Sequence, residues 1–550
     1  MHENLCDLHR QASRQSGPRV AIRFKRHGVH VDFSWNEYRR AVDRAAGGLI
    51  SLGVQPGDRV GILSENRYEW LIADQAILGC GAVDVPLHAP LVPAQVAYQL
   101  AHSEACGVVL SGPEQASKIV QVLHELPNLK FVVSFDSVES ISGVSSLSWN
   151  ALLHTGRNYD VSAIRQRERQ VTGDTLATII YTSGTTGNPK GVMLTHANLL
   201  SNTSAMLDIS GVGRDDVLLS WLPYSHIYAR TVDHYLTTMA GTTLVLAESI
   251  DTLTADLALI RPTWLTSVPR FYEKVWSAAS ERDPDRRKQF LQDLFGPRVR
   301  QLTSGGAPLP RHVCEGFFKA NIPLLEGYGL TESSPVISFN RLDSWRIGTV
   351  GQPLPNVEVR IADDGEILTR GPHVMRGYWK NTEATAEAIV DGWLMTGDVG
   401  HLDDDGFLTI TDRKKDLIVT SGGKNVAPSE IERALVADPW IDQAVVHGDA
   451  RPFITALLVL NVERARTDSE LPDEEFSTEG RFLTASRLYE LVEARVNDHM
   501  SRFSRPEHVR RFLLLNSPFT VEADELTATL KVKRRHIIAR YQQQLDRLYD

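Results

Sequence analysis

Between Asp58 and Phe135, short apolar runs such as Arg59-Val60-Gly61-Ile62-Leu63 and Gly107-Val108-Val109-Leu110 alternate with helical stretches such as Pro93 to Ser103. Apolar runs of strand length separated by helix-length segments are what a parallel sheet requires, because each parallel connection must cross the sheet and return. The rhythm resumes at Leu176-Ala177-Thr178-Ile179-Ile180, at Thr242-Thr243-Leu244-Val245-Leu246 and between Thr263 and Val268. The pattern predicts an α/β fold, with one large N-terminal body of α/β layers extending to about residue 410. A chain of 550 residues exceeds what one core usually holds, so a second domain is expected.

A turn at Asp404-Asp405-Gly406 leads through Phe407-Leu408-Thr409-Ile410 into the charged run Asp412-Arg413-Lys414-Lys415-Asp416, and a new apolar run, Leu417-Ile418-Val419, follows. The boundary is placed there, giving domains 1–414 and 415–550. The second mixes strands such as Ala444-Val445-Val446 and Thr455 to Leu460 with helical stretches such as Pro428 to Ala437 and Ser486 to Met500, and reads as a small α+β domain.

Lysine and arginine total 58 against 68 acidic residues, a formal charge of −10, so nothing argues for nucleic acid as a partner. Cys6, Cys80, Cys106 and Cys314 are too scattered for a metal knot or a disulfide frame, and His102 to Cys106 lacks a second ligand pair. The N-terminal residues lack the apolar core of a signal peptide, and no apolar run is long enough to span a bilayer. The expected setting is cytoplasmic, with transient peripheral membrane contact compatible with a lipid substrate. A Gly-x-Ser-x-Gly elbow is absent, which argues against a serine hydrolase.

The most informative segment is Tyr181-Thr182-Ser183-Gly184-Thr185-Thr186-Gly187-Asn188-Pro189-Lys190-Gly191, set between the apolar strand 176–180 and a helical stretch beginning near Thr195. Glycines free the backbone to curl so that amides converge on phosphate oxygens, hydroxyls add donors, and Lys190 offsets polyphosphate charge. It is not a Walker A loop, because the Gly-Lys-Ser/Thr ending is missing. Further on, Tyr328-Gly329-Leu330-Thr331-Glu332 offers a ring to stack on a purine, Thr331 to reach a phosphate and Glu332 to give an oxygen to Mg2+.

The Tyr-Thr-Ser-Gly-Thr-Thr-Gly-Asn-Pro-Lys-Gly segment resembles the signature of the AMP-forming adenylating superfamily of acyl-CoA synthetases, luciferases and peptide-synthetase adenylation domains. Ser304-Gly305-Gly306-Ala307-Pro308-Leu309, Glu326-Gly327-Tyr328-Gly329-Leu330-Thr331-Glu332, Trp393 to Asp398, Thr411 to Asp416 and Leu530-Lys531 resemble further family motifs in family order, covering almost the whole chain. The wording is closest to the long-chain branch, although 270–305 looks shorter than in typical long-chain members.

The resemblance implies ATP, Mg2+ and CoA as cofactors, and nucleotide contacts at Thr182, Ser183, Gly184, Thr185, Thr186, Gly187, Lys190, Gly305, Gly306, Ala307, Glu326, Gly327, Tyr328 and Gly329. It implies metal contacts at Glu332 and Thr182, ribose and phosphate contacts at Asp398 and Arg413, a hinge at Lys415, and a glycine loop at Gly422 and Gly423 presented to the thiol. His226, in Leu222-Pro223-Tyr224-Ser225-His226, is placed beside the substrate carboxylate. Lys531, with Lys533 as its rival by spacing, is the implied catalytic cation on a mobile small domain, working with Thr331, Glu332 and His226. The reaction implied is activation of a fatty acid to an acyl adenylate, then transfer to CoA. A carrier-protein acceptor, a medium-chain or aryl acid substrate, and an inactive nucleotide-binding scaffold remain the alternatives.

Overall fold

The computed structural model describes residues 2–182, 188–249, 251–421, 425–469, 471–520, 523–526 and 532–550. The chain divides into two compact units. The first comprises Met1–Arg360, Leu368–Thr396 and Asp404–Leu408, and the second Ile361–Ile367, Gly397–Asp403 and Thr409–Asp550.

The first unit contains two large sheets. In one, Arg59–Leu63 lies at the centre, parallel to Val83–Leu87 on one side and to Gly107–Leu110 on the other, with Phe131–Ser134 parallel beyond it. Helix Pro93–Ser103 makes the crossover from Val83–Leu87 to Gly107–Leu110, where the sequence places it. These strands are buried along nearly their whole length, which is why they read as continuous apolar runs rather than as alternations. Outside Val83–Leu87 the sheet continues through Leu176–Thr182, Lys190–Thr195 and Gly377–Tyr378, the last two joining antiparallel. The helix expected near Thr195 starts at His196, but the six residues before it form a strand. Val192 and Leu194 bury alternate side chains there, and Thr195 exchanges hydrogen bonds with Asn198 to cap the helix.

In the other sheet, Thr243–Leu246, Val217–Ser220, Trp264–Ser267, Gln301–Ser304 and Leu324–Gly329 run parallel in that spatial order, Val336–Phe339 follows antiparallel, and the short strand Gln352–Pro353 pairs antiparallel beyond it at the edge. The rings of Trp35, Trp70, Trp264, Tyr38 and Tyr224 fill the core beside it. A π-helical segment, Arg230–Tyr235, carries its polar residues inward, and Arg230 is 0% exposed. All four cysteines are buried and unpaired.

The second unit is a small α+β body. Ile441–His447 pairs antiparallel with Ile454–Leu460, which runs parallel to Val509–Leu515, and Phe482–Leu483 and Thr478–Glu479 complete the sheet. Helix Ser486–Met500 buries Leu488, Val492, Val496 and Met500, one residue per four, against it. The apolar run at 417–419 yields only a two-residue strand, Ile418–Val419, paired with Asn425–Val426. No helix among the described residues is long and apolar enough to cross a membrane.

Candidate active site

The signature segment is the connection of a hairpin. Thr182, the last residue of Leu176–Thr182, pairs across the sheet with Lys190, the first of Lys190–Thr195. Ser183, Gly184, Thr185, Thr186 and Gly187 lie outside the described residues. The next strand, Gly377–Tyr378, pairs Tyr378 with Val192, and Trp379 N donates to Gly191 O at 2.7 Å. This registry puts the Tyr378 ring 4.9 Å from the Lys190 ammonium, a cation–π contact. The Tyr378 hydroxyl donates to Glu332 Oε1 at 2.9 Å. Burial first, and then the Glu332 charge, push the Tyr378 phenol well above its ordinary pKa, so it remains a donor. Lys190 and Glu332, far apart in the chain, are thus brought onto one tyrosine.

Glu332 sits in the short 3-10 turn Thr331–Ser333 that follows strand Leu324–Gly329. Its own carbonyl accepts from Met375 N at 2.8 Å, and Ser334 Oγ donates to His373 O at 2.8 Å, so two bonds fasten the turn to the 373–375 segment. Thr331 is buried, while Tyr328 and Glu326 are half-buried. Gly329 admits no side chain, because a Cβ there would lie 1.8 Å from Pro335 O. Gly327 precedes it on the same strand.

Strand Gln301–Ser304 delivers Gly305, which is buried, and Gly306 and Ala307, which are exposed. A Cβ on Gly305 would come 3.0 Å from the Tyr228 ring. Leu309 N donates to Glu326 Oε1 at 3.2 Å, closing this loop onto the neighbouring strand. His226 caps the one-turn helix Ile227–Ala229, its Nδ1 accepting from Tyr228 N at 3.3 Å. The His88 ring stacks loosely on it with centroids 6.4 Å apart, and His88 Nδ1 lies 2.7 Å from Ser225 Oγ. Burial pushes His88 down to about 4, so it is neutral near pH 7.

Asp398 and Arg413 lie in the second unit and meet there. Arg413 Nε is 2.9 Å from Asp398 Oδ1, and Asp398 is 3% exposed. Lys414 pairs with Asp364 Oδ2 at 2.6 Å and Glu366 Oε2 at 2.7 Å, while Glu366 Oε1 accepts from Gly397 N, so the turn before Asp398 is clamped by a carboxylate. The run Asp412–Asp416 is therefore not uniformly a solvated loop. Asp412 is buried and caps helix Pro428–Val436, accepting from Ser429 N and Ser429 Oγ, each at 3.0 Å. Lys415 is exposed. Gly422 and Gly423 lie outside the described residues.

Lys531 also lies outside the described residues, as do 527–530. Leu526 bridges to Val532, Lys533 N donates to Glu525 O at 2.9 Å, and the Glu525 carboxylate is fully buried against Arg481 Nη1 at 2.7 Å and the Tyr541 hydroxyl at 3.2 Å. The ammonium of Lys533 is ion-paired with Asp524.

Sequence reasoning did not single out Tyr378, His88, Tyr228, Lys414 or Glu366. His88 follows directly on strand Val83–Leu87, and the carboxyl ends of parallel strands are where ligands bind, so position was an available signal. Tyr378 and Glu366 carried none, since their relevance comes from sheet registry.

A model of the AMP-binding enzyme family matches residues 8–379, and a model of the AMP-binding enzyme C-terminal domain matches residues 415–550. The long-chain-fatty-acid–CoA ligase FadD15 of Mycobacterium bovis is 34% identical over 100% of this chain and 97% of its own length. Among solved structures, the anthranilate CoA ligase AuaEII in complex with anthranoyl-AMP superposes with a TM-score of 0.82 at 20% identity, covering 99% of this chain and 98% of that one. ATP-bound MatB from Rhodopseudomonas palustris superposes with a TM-score of 0.78 at 25% identity, covering 98% and 99%.

Proposed function

The chain belongs to the AMP-binding enzyme family, and from that premise we propose that it is an AMP-forming ligase joining a long-chain fatty acid to CoA. The observation that carries this reading is the likeness to a long-chain-fatty-acid–CoA ligase along the entire chain. Lys190 and Glu332 gathered on Tyr378 support it independently, because a triphosphate site needs a cation and a metal-binding carboxylate close together.

In the first half-reaction a carboxylate oxygen attacks the α-phosphorus of ATP, the bond to pyrophosphate breaks, and acyl adenylate forms. Both reactants are anions, so catalysis depends on positive charge and donors placed where charge accumulates. In this reading Lys190 and the 183–187 backbone receive the phosphates, Thr331 adds a hydroxyl, and Tyr328 stacks on adenine beside Gly305, Gly306 and Ala307. The Leu309–Glu326 bond holds that loop closed. Asp398 accepts from the ribose hydroxyls, with Arg413 orienting it. His226, its ring fixed through Nδ1, lies beside the acid. Lys531 supplies the mobile cation.

Among the described residues no group of three or more His, Cys, Asp or Glu could cage a metal. The donor set fits Mg2+, which the Glu332 carboxylate and Thr182 would hold through oxygen, the ligand type this small hard cation prefers. When bound, the ion neutralises triphosphate charge. In the second half-reaction the CoA thiol attacks the acyl carbonyl, AMP leaves with the electrons of the broken C–O bond, and the thiol proton is released. Rotation about Lys415 withdraws Lys531 and presents the Gly422–Gly423 loop, so one cleft serves both steps. Four buried, unpaired cysteines support a reducing, cytoplasmic setting.

The test is a panel of carboxylic acids, short to long, scored for ATP–pyrophosphate exchange without CoA and for AMP release with it. Long-chain acids are expected to drive both, with free acyl-CoA as product. Exchange with long-chain acids but no acyl-CoA on adding CoA would redirect the reading to a carrier-protein acceptor, and no acid-dependent exchange would overturn it. Glu332→Gln is expected to raise the Mg2+ concentration for half-maximal exchange by about tenfold, the scale of losing a charged metal ligand.

A further inference from the structure

We propose that Tyr378 is a positioning residue that holds the Glu332 carboxylate and the Lys190 ammonium apart and ready for MgATP. This rests on the reading of Glu332 as the metal ligand and Lys190 as the phosphate cation.

One side chain contacts both charges through different atoms. Its hydroxyl donates to Glu332 Oε1 at 2.9 Å, and its ring face lies 4.9 Å from Lys190 Nζ. Among the described residues Tyr378 is the one hydrogen-bond donor to that carboxylate, which keeps Oε2 outside the bond, and Lys190 makes no ion pair. A lysine and a glutamate sharing a cleft tend to pair with each other, and each would then have to be separated again before binding its own partner. Tyr378 satisfies both without neutralising either, since a ring face attracts a cation weakly and a phenol bonds only one carboxylate oxygen.

The tyrosine is itself rigidly set. Its amide donates to Thr385 Oγ1 at 2.9 Å, its strand pairs with Lys190–Thr195, and Trp379 anchors the next position through Nε1 to His102 O at 3.0 Å. Placement on a paired strand, rather than on a loop, is what positioning to a few tenths of an ångström requires.

The experiment uses the full chain and compares Tyr378→Phe, Tyr378→Leu, Glu332→Gln and Tyr378→Phe/Glu332→Gln by ATP–pyrophosphate exchange, titrating Mg2+ and ATP separately, with thermal unfolding recorded for each. Tyr378→Phe keeps the ring and loses the donor, so the Mg2+ midpoint is expected to rise about fivefold to tenfold, the scale of the net worth of one hydrogen bond, with the ATP KM at saturating Mg2+ within about twofold. Tyr378→Leu should raise that KM by about a further threefold to tenfold as the cation–π contact goes. In the double variant the Tyr378→Phe change should add nothing to Glu332→Gln. If Tyr378→Phe leaves the Mg2+ midpoint unchanged while Glu332→Gln moves it, the positioning role is wrong and the metal-ligand reading stands. If neither moves it, the reading of Glu332 fails and takes the proposal with it. A lowered kcat and melting temperature with an unmoved Mg2+ midpoint marks a purely structural tyrosine and also overturns it.

Discussion

Replacing Lys531 with alanine will slow formation of acyl adenylate by about 10²- to 10³-fold, the usual loss when one preorganised charge-stabilising group is removed, and will leave transfer from supplied acyl adenylate to CoA within about threefold of the parent. The asymmetry follows from the charges. In the first half-reaction a carboxylate must approach an α-phosphate that already carries negative charge, and attack loads more charge onto the phosphorus oxygens. In the second, the acyl adenylate carries a single negative charge and the thiol attacks a carbonyl carbon, so the same cation has little to offset. Lys533→Ala is the control, because its ammonium is engaged by Asp524. It is expected to change adenylation by less than about threefold, in line with the small worth of an exposed ion pair. Fatty-acid-dependent ATP–pyrophosphate exchange measures the first step, and consumption of synthetic acyl adenylate by CoA measures the second. Equal loss of both steps in the Lys531 variant, or a larger adenylation defect in the Lys533 variant, would remove Lys531 from this role.

Parallel strands such as Gly107–Leu110 and the helix Pro93–Ser103 could be read from the sequence because burial on both faces and crossover length leave a local pattern. The strand Lys190–Thr195 escaped, since six residues opened by lysine and glycine carry too short an alternation to register beside a loop that dominates the composition. For the site, the motif residues named themselves by type and order, while their partners did not. Tyr378 becomes relevant only through registry with Val192, and Glu366 only because its carboxylate closes the turn at Gly397. Asp412 shows the converse. Among charged neighbours it looks like one more solvated group, yet it is buried as a helix cap because Ser429 is folded back onto it. Side-chain pairs formed across long sequence separations obey geometry that no local pattern encodes.

The most consequential feature of that hidden kind is Arg230, and replacing it with methionine is expected to destabilise the first unit by about 3–5 kcal/mol, the cost of stranding a buried charge. Its guanidinium donates through Nε to the Tyr235 hydroxyl at 2.9 Å and through Nη1 to Thr178 Oγ1 at 2.8 Å, while Nη2 meets both Asp74 and Asp84. The two carboxylates are not equivalent. Burial alone would push Asp74 up, but Arg230, His234 and Tyr235 outweigh it and hold Asp74 down at about 2. Asp84 Oδ2 approaches Nη2 at 2.6 Å without an aligned hydrogen bond at either oxygen, and burial, which Arg230 only partly opposes, pushes it well up. One arginine thus neutralises one carboxylate, Asp74, and Asp84 keeps its proton. Asp74→Asn should therefore cost about 3 kcal/mol or more, and Asp84→Asn less than about 1 kcal/mol, because it replaces an already neutral group. The pH dependences have opposite signs. Stability from the depressed Asp74 is present above its unfolded value near 4 and is lost as pH falls toward about 2, so the Asp74→Asn deficit shrinks on acidification. Stability from the raised Asp84 is complete below about 4 and declines as pH climbs toward its folded value, so Asp84→Asn gains on the parent as pH rises. Urea unfolding of each variant at pH 3, pH 5 and pH 8, followed by tryptophan emission, reads the Asp74 slope between the first two and the Asp84 slope between the last two, and equal costs for the two asparagines would show that the charge is shared rather than assigned. The network also reaches the site, since Thr178 lies on strand Leu176–Thr182 and Arg230 N donates to His226 O at 3.2 Å. Loss of the arginine should therefore slacken the signature hairpin and the His226 turn together.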